Sequence, residues 1–335
     1  MTSPKYGVFA AGDNSYHQIF DIQRVANRFQ FCNELEIPYY QIVQIIAWGH
    51  SFAILKCDNS IFYITKDSEL TQIYPSHQLI RIQFYSNSII GLDSTGFLVQ
   101  INLNNKTTKK ISSCKLRTFS SSSNIIVGIT FDPKNECVII KENESQSKVI
   151  IEDTLAVGCT DNYIFISTKE DPSLYIYDIE SSSLLKMNIN ERVISISCSE
   201  DISLFITENG NLYQYSFNDS TSAPIRIYSL PPVIEASSSV QHCAAITYDG
   251  RLFTWGYNPS CQLGTGNDRP SKDPVCVIKS SVSLVACGSQ NTWVVKKPKK
   301  PARPEIMKLS IDEPNHLRKE PNKVVHHLFK SEIFV

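Results

Sequence analysis

His50 and His242 are the residues of this 335-residue chain best suited to metal or proton-transfer chemistry, and they fall at matching places of a repeated apolar pattern. Side by side in a ring, they would line a channel and hold a metal ion or an anion. A histidine on an apolar strand more commonly satisfies itself against a neighbouring carbonyl, and that is the reading adopted. Ten cysteines, at positions 32, 57, 114, 137, 159, 198, 243, 261, 276 and 287, form no Cys-x-x-Cys pair. Their near-regular scatter through apolar stretches is that of small buried thiols. Gly264-Thr265-Gly266 lacks the strand–loop–helix setting and the lysine of a phosphate loop, so it reads as a turn. No His-Glu-x-x-His, Gly-x-Ser-x-Gly or paired Cys/His spacing occurs. The chain therefore reads as non-enzymatic, with no catalytic, metal or cofactor residues. Trp48, Trp255 and Trp293 occupy different motif positions, as core packing would have them.

Charge concentrates at one end. Lys296–Val335 holds ten Lys/Arg against five Asp/Glu, which gives +5, while the whole chain carries −1. Lys296, Lys297, Lys299, Lys300 and Arg303 lie in a proline-broken stretch that reads as an extended linker. Functionally, such a stretch suits nuclear import or contact with an acidic surface such as nucleic acid or tubulin. Farther on, Val325, Leu328 and Phe329 fall at helical spacing and form a docking segment. There is no secretory leader pattern at the first residues and no apolar run of about 18 residues, so no membrane partner is expected.

The elements that position these residues follow from a recurring beat. Ile54, Leu92, Ile129, Ile166, Ile206, Ile246 and Val295 each end an apolar motif, at intervals of 38, 37, 37, 40, 40 and 49 residues. A fixed period of this size marks a repeat fold, whose units bury their apolar faces only by stacking. Each unit reads as strand, small-residue turn, strand, Asp/Asn/Gly turn and aromatic-rich strand. Asp249-Gly250 and Asn209-Gly210 predict type I′ hairpins, and Asp132-Pro133 and Asp171-Pro172 predict Pro-initiated turns. Seven such units predict an all-β, seven-bladed β-propeller over residues 1–295, followed by a basic linker and docking segment over 296–335. The last unit stops after its second strand, at Val295. Gly7–Asn14 aligns with Arg251–Asn258, so the closing blade is expected to be shared between the two chain ends.

Leu252-Phe253-Thr254-Trp255-Gly256-Tyr257-Asn258, followed by Gln262-Leu263-Gly264-Thr265-Gly266, resembles the repeat of the regulator of chromosome condensation family. Cys287-Gly288 with Thr292, His50-Ser51 and His242-Cys243 resemble that repeat's other half. Between Leu79 and Asn218 the glycine-rich loop is absent, and Cys261 and His17 replace the family's glycine, which argues against a positive-φ turn there. The resemblance implies a rigid platform for protein partners, which bind its loops and tail within a larger assembly. A cytoplasmic, cytoskeletal or ciliary setting is the leading expectation, with tubulin or another acidic surface as partner. Two alternatives stay open: guanine-nucleotide exchange on a Ran-like GTPase, and association with chromatin in the nucleus.

Overall fold

The computed structural model describes residues 6–15, 25–32, 35–65, 68–140, 148–217 and 223–298. Strand accounts for 58% of the described residues and helix for 2%. Seven four-stranded antiparallel sheets form, each built from consecutive strands except one. Blade two comprises Ile42–Trp48, Ser51–Lys56, Ile61–Thr65 and Ser68–Ile73, and blade three Leu79–Tyr85, Ser88–Asp93, Leu98–Asn102 and Thr108–Lys110. Blade four comprises Leu116–Ser121, Ile126–Thr130, Cys137–Ile140 and Lys148–Ile151, and blade five Thr154–Cys159, Tyr163–Thr168, Leu174–Asp178 and Ser183–Met187. Blade six comprises Val193–Cys198, Ile202–Thr207, Leu212–Ser216 and Ile225–Arg226, and blade seven Val233–Ser238, His242–Thr247, Leu252–Gly256 and Ser271–Ile278. The exception is the closing blade. There Val282–Cys287 and Asn291–Lys296 are completed by Gly7–Asp13 and Val25–Phe31, with Gly12 opposite Asn291 and Gly7 opposite Lys296. The shared closure read from the sequence is the one that forms.

Each blade buries both faces, and the apolar core is divided among the seven blade-to-blade interfaces. Trp293 of the closing blade stacks on Phe52 of blade two, with ring centroids 3.8 Å apart, which seals the joint between chain start and chain end. The seven motif residues are all buried on second strands. Their register differs in two blades, however. The residue opposite the third position of the inner strand is Leu55 rather than Ile54 in blade two, facing Gln44, and Ser167 rather than Ile166 in blade five, facing Ala156. The strands are apolar on both faces here, so alternation does not say which neighbour a residue meets.

All seven inner strands also carry a bulge one residue from their start, at Val43, Ile80, Arg117, Leu155, Ile194, Ile234 and Ser283. The Asp-Gly and Asn-Gly hairpins depart from the type I′ expectation. Only Gly250 and Gly210 have positive φ, and each turn is a three-residue loop closed by the glycine N–H on Thr247 or Thr207. Asp132 and Asp171 cap their Pro-initiated turns by accepting from Lys134 and Ser173 amides.

Candidate interaction surfaces

The inner strand of every blade is a sheet edge, and its unpaired amides are the first thing the sequence must manage. Side chains of one blade cap the edge of the next. Gln44 accepts from Ile82 N–H at 2.8 Å and donates to Ile82 C=O at 3.0 Å. Gln83 accepts from Ser121 N–H, Ser197 Oγ from Ser238 N–H, and Ser237 Oγ from Cys287 N–H. Glu235 accepts from Val285 N–H at 2.9 Å. Burial pushes the Glu235 carboxyl up to about 7, against the opposing pull of that amide and of Lys297. These polar residues in otherwise apolar strands line a central channel with Arg81, whose Nη1 donates to Thr118 Oγ1 at 2.8 Å.

Lys297 belongs to this ring rather than to a tail. Its amide donates to Ser281 C=O, the seventh copy of a bond that Cys57, Ser94, Phe131, Lys169, Glu208 and Tyr248 make in the other blades. Its ammonium donates to Ile42 C=O at 3.0 Å, and burial lowers its pKa. Lys296 ends the last strand, with its ammonium 5.0 Å from the Phe9 ring centroid. Lys299, Lys300, Arg303, Val325, Leu328 and Phe329 lie outside the described residues. The two histidines are not equivalent. His242 is buried between Ser239 Oγ and Thr292 Oγ1 of the closing blade, and burial holds its pKa down to about 3. His50 sits in a two-residue turn. Among the described residues no cluster of metal-ligating side chains forms, and burial raises the Cys159 and Cys287 thiols to about 12.

Trp255 and Trp293 pack in the core, the first donating to Gln214 Oε1 of blade six. Trp48 does not: it is 46% exposed, a correction to the core-packing expectation. Among the described residues the large exposed apolar side chains are unevenly shared. Tyr40, Val43, Tyr74, Ile80, Phe131, Tyr228, Ile234 and Tyr248 all lie on the face where inner strands begin, here the entry face. Trp48, Tyr257 and Val25 lie on the opposite, hairpin face, where inner strands turn into second strands. The sequence beat did not mark this asymmetry, because these residues sit in loops and bulges outside the periodic motif.

The loop after Trp255 is built around one side chain. Asn258 is fully buried, accepts from Leu263 N–H and donates to the carbonyls of Asn267 and Arg269 at 2.8 and 2.9 Å. Gly256 has φ +108°, and a Cβ there would stand 2.5 Å from the Gln241 carbonyl oxygen; Gly12 repeats the arrangement on the closing blade. Cys261 takes φ +60°, so the positive-φ turn persists without its glycine, contrary to expectation, whereas His17 lies outside the described residues. Gly264–Gly266 is a turn clasping the closing blade, with Gly266 N–H donating to Asn27 C=O.

Residues 249–295 match the family model described as the regulator of chromosome condensation (RCC1) repeat. That stretch carries one RCC1 repeat. Its match coincides with the Asn258 loop and the second half of the closing blade. The human E3 ubiquitin-protein ligase HERC2 is 30% identical over 170 residues, 42% of this chain and 3% of the ligase. A Dictyostelium discoideum bifunctional serine/threonine-protein kinase/NEDD4-like E3 ubiquitin-protein ligase is 28% identical over 127 residues, 33% of this chain and 7% of that protein. The chain thus spans only a small part of these curated relatives. Across the propeller, the fold is shared with Prp20p of Saccharomyces cerevisiae, at TM-score 0.72 and 14% identity over 88% of this chain and 92% of that one. That structure was described together with the binding of Prp20p to Gsp1p and histones.

Proposed function

We propose that this RCC1-type propeller is a non-enzymatic platform that holds protein partners within a larger assembly. The observation behind the reading is the gathering of eight large exposed apolar side chains on the entry face, against three on the hairpin face. Aromatic side chains at a surface supply rigid, amphipathic contact area of the kind that dominates binding hot spots. The basic residues from Lys299 onward extend the proposal to an acidic partner surface such as tubulin, in a cytoplasmic, cytoskeletal or ciliary setting.

The test is affinity purification from native cells with the full chain and with the pair Tyr228→Ser and Tyr248→Ser. Those changes should remove partners and leave the thermal midpoint unchanged; an unaltered partner set overturns the reading. Nucleotide exchange on a Ran-like GTPase, with nuclear chromatin binding beside it, is the rival, and the shared fold is what stands behind it. A nucleotide-release assay with that GTPase should stay within about twofold of the intrinsic rate. An acceleration of two or more orders of magnitude favours exchange, which works by differential binding of GTPase states.

A further inference from the structure

The hairpin face differs from the entry face in shape as well as in polarity. In five blades four residues separate the last paired residue of the inner strand from its partner on the second, as between Ser121 and Ile126 or Cys198 and Ser203. In blades two and three only two do, between Trp48 and Ser51 and between Tyr85 and Ser88. The shorter turns leave a cleft of about 580 Å³ walled by Trp48, Tyr63 and Phe84 with His50 and Asn87 at its rim. That volume lies within the range of pre-formed binding clefts, about 300–1,000 Å³. Trp48 also walls the channel mouth on its other side, a cavity of about 190 Å³. This second cavity is below that range and suits one inserted side chain.

Charge decides which side chain. The seven turns around this mouth carry Asp161, Glu200 and Asp201, and neither Lys nor Arg. Asp161 accepts from Ser123 N–H, Ser123 Oγ and Asn124 N–H, which hold its carboxyl ionised below the ordinary range. Glu200 is exposed at the same rim. The other end of the channel instead holds Lys297 and Arg81, with Glu235 beside Lys297. We infer that the hairpin face binds an extended partner segment that places a Lys or Arg in the acidic mouth and a bulky apolar residue in the cleft. Trp48 lies between them, with its ring available to both the cation and the apolar group. Residues two apart on an extended chain point to one side about 7 Å apart, so a Phe-x-Lys spacing fits two cavities that share a wall. This surface is separate from the entry face, so its failure leaves the platform reading untouched.

The probe is a fluorescein-labelled, Gly/Ser-flanked peptide carrying Phe-Ser-Lys, titrated against the full chain by anisotropy, with Ser-Ser-Lys and Phe-Ser-Glu as controls. The two-feature peptide should bind at least tenfold more tightly than either control, and more weakly as salt rises. Trp48→Ser and Glu200→Lys should each weaken it at least fivefold with the thermal midpoint kept, and Trp48→Phe should restore most of the loss. Equal binding of the Phe-Ser-Glu peptide, insensitivity to both substitutions, or no saturation of Phe-Ser-Lys below millimolar protein overturns the inference.

Discussion

Glu235 stands where the repeat places its edge-capping residue, and it does so with a carboxyl that burial holds up to about 7. Between the ordinary carboxylate range and that value the folded state binds the proton that the unfolded chain releases. Stability from this residue is therefore full at low pH and lost as pH rises toward about 7. Glu235→Gln keeps an oxygen for Val285 N–H and removes the titration. Its thermal midpoint should exceed that of the parent at pH 8 and match it at pH 5. His242 works in the opposite sense, since a base held down to about 3 costs stability as pH falls below its ordinary value near 6.5. The two oppose one another and together predict a shallow stability maximum on the acid side of neutrality, and His242→Gln should flatten the acid limb of a midpoint-against-pH curve. Neither property was legible in the sequence. A lone Glu or His in an apolar stretch does not reveal how deeply its partner blade covers it. Cys261 shows the reverse case, where residue type argued against a turn that the surrounding Asn258 bonds impose.

Among elements, the inner strands carry the least visible design. Their glutamines and serines look like interruptions of an apolar run until the channel-facing edges are seen to need acceptors and donors. Gln44→Ala strips both caps from Ile82 and should lower stability by about 1–3 kcal/mol. Val43→Ser, one residue away on the bulge, should stay within about 0.5 kcal/mol; urea midpoints compare them. Blade count, strand order and closure were legible because stacking repeats a beat of short strands and tight turns, and the last unit's missing third strand reappears at residues 7–14. Register was not, since Ile54 and Leu55 are both buried, one on each face of the same strand. The exposure of Trp48 was hidden for a related reason: two residues removed from a turn change what a strand end meets without changing the strand's own pattern.

At the scale of the molecule, one blade decides whether there is a ring. Gly7–Asp13 lies between Asn291–Lys296 and Val25–Phe31, so removing residues 1–13 exposes the edge of the last strand and separates the outermost one. Unfolding of the truncated chain in urea should broaden and lose its single cooperative step. Adding back residues 1–32 as a peptide should restore it, because nearest-neighbour stacking is what couples the blades.

The seven bulges extend that logic to how such a molecule changes over time. Each lifts a single residue out of the pairing ladder at the same height around one opening, so seven positions stand in a circle, set apart from the packed core. At present they read Val, Ile, Arg, Leu, Ile, Ile and Ser. A scaffold of this kind holds a combination lock whose seven dials turn separately, and the ring persists whichever setting selection leaves on them.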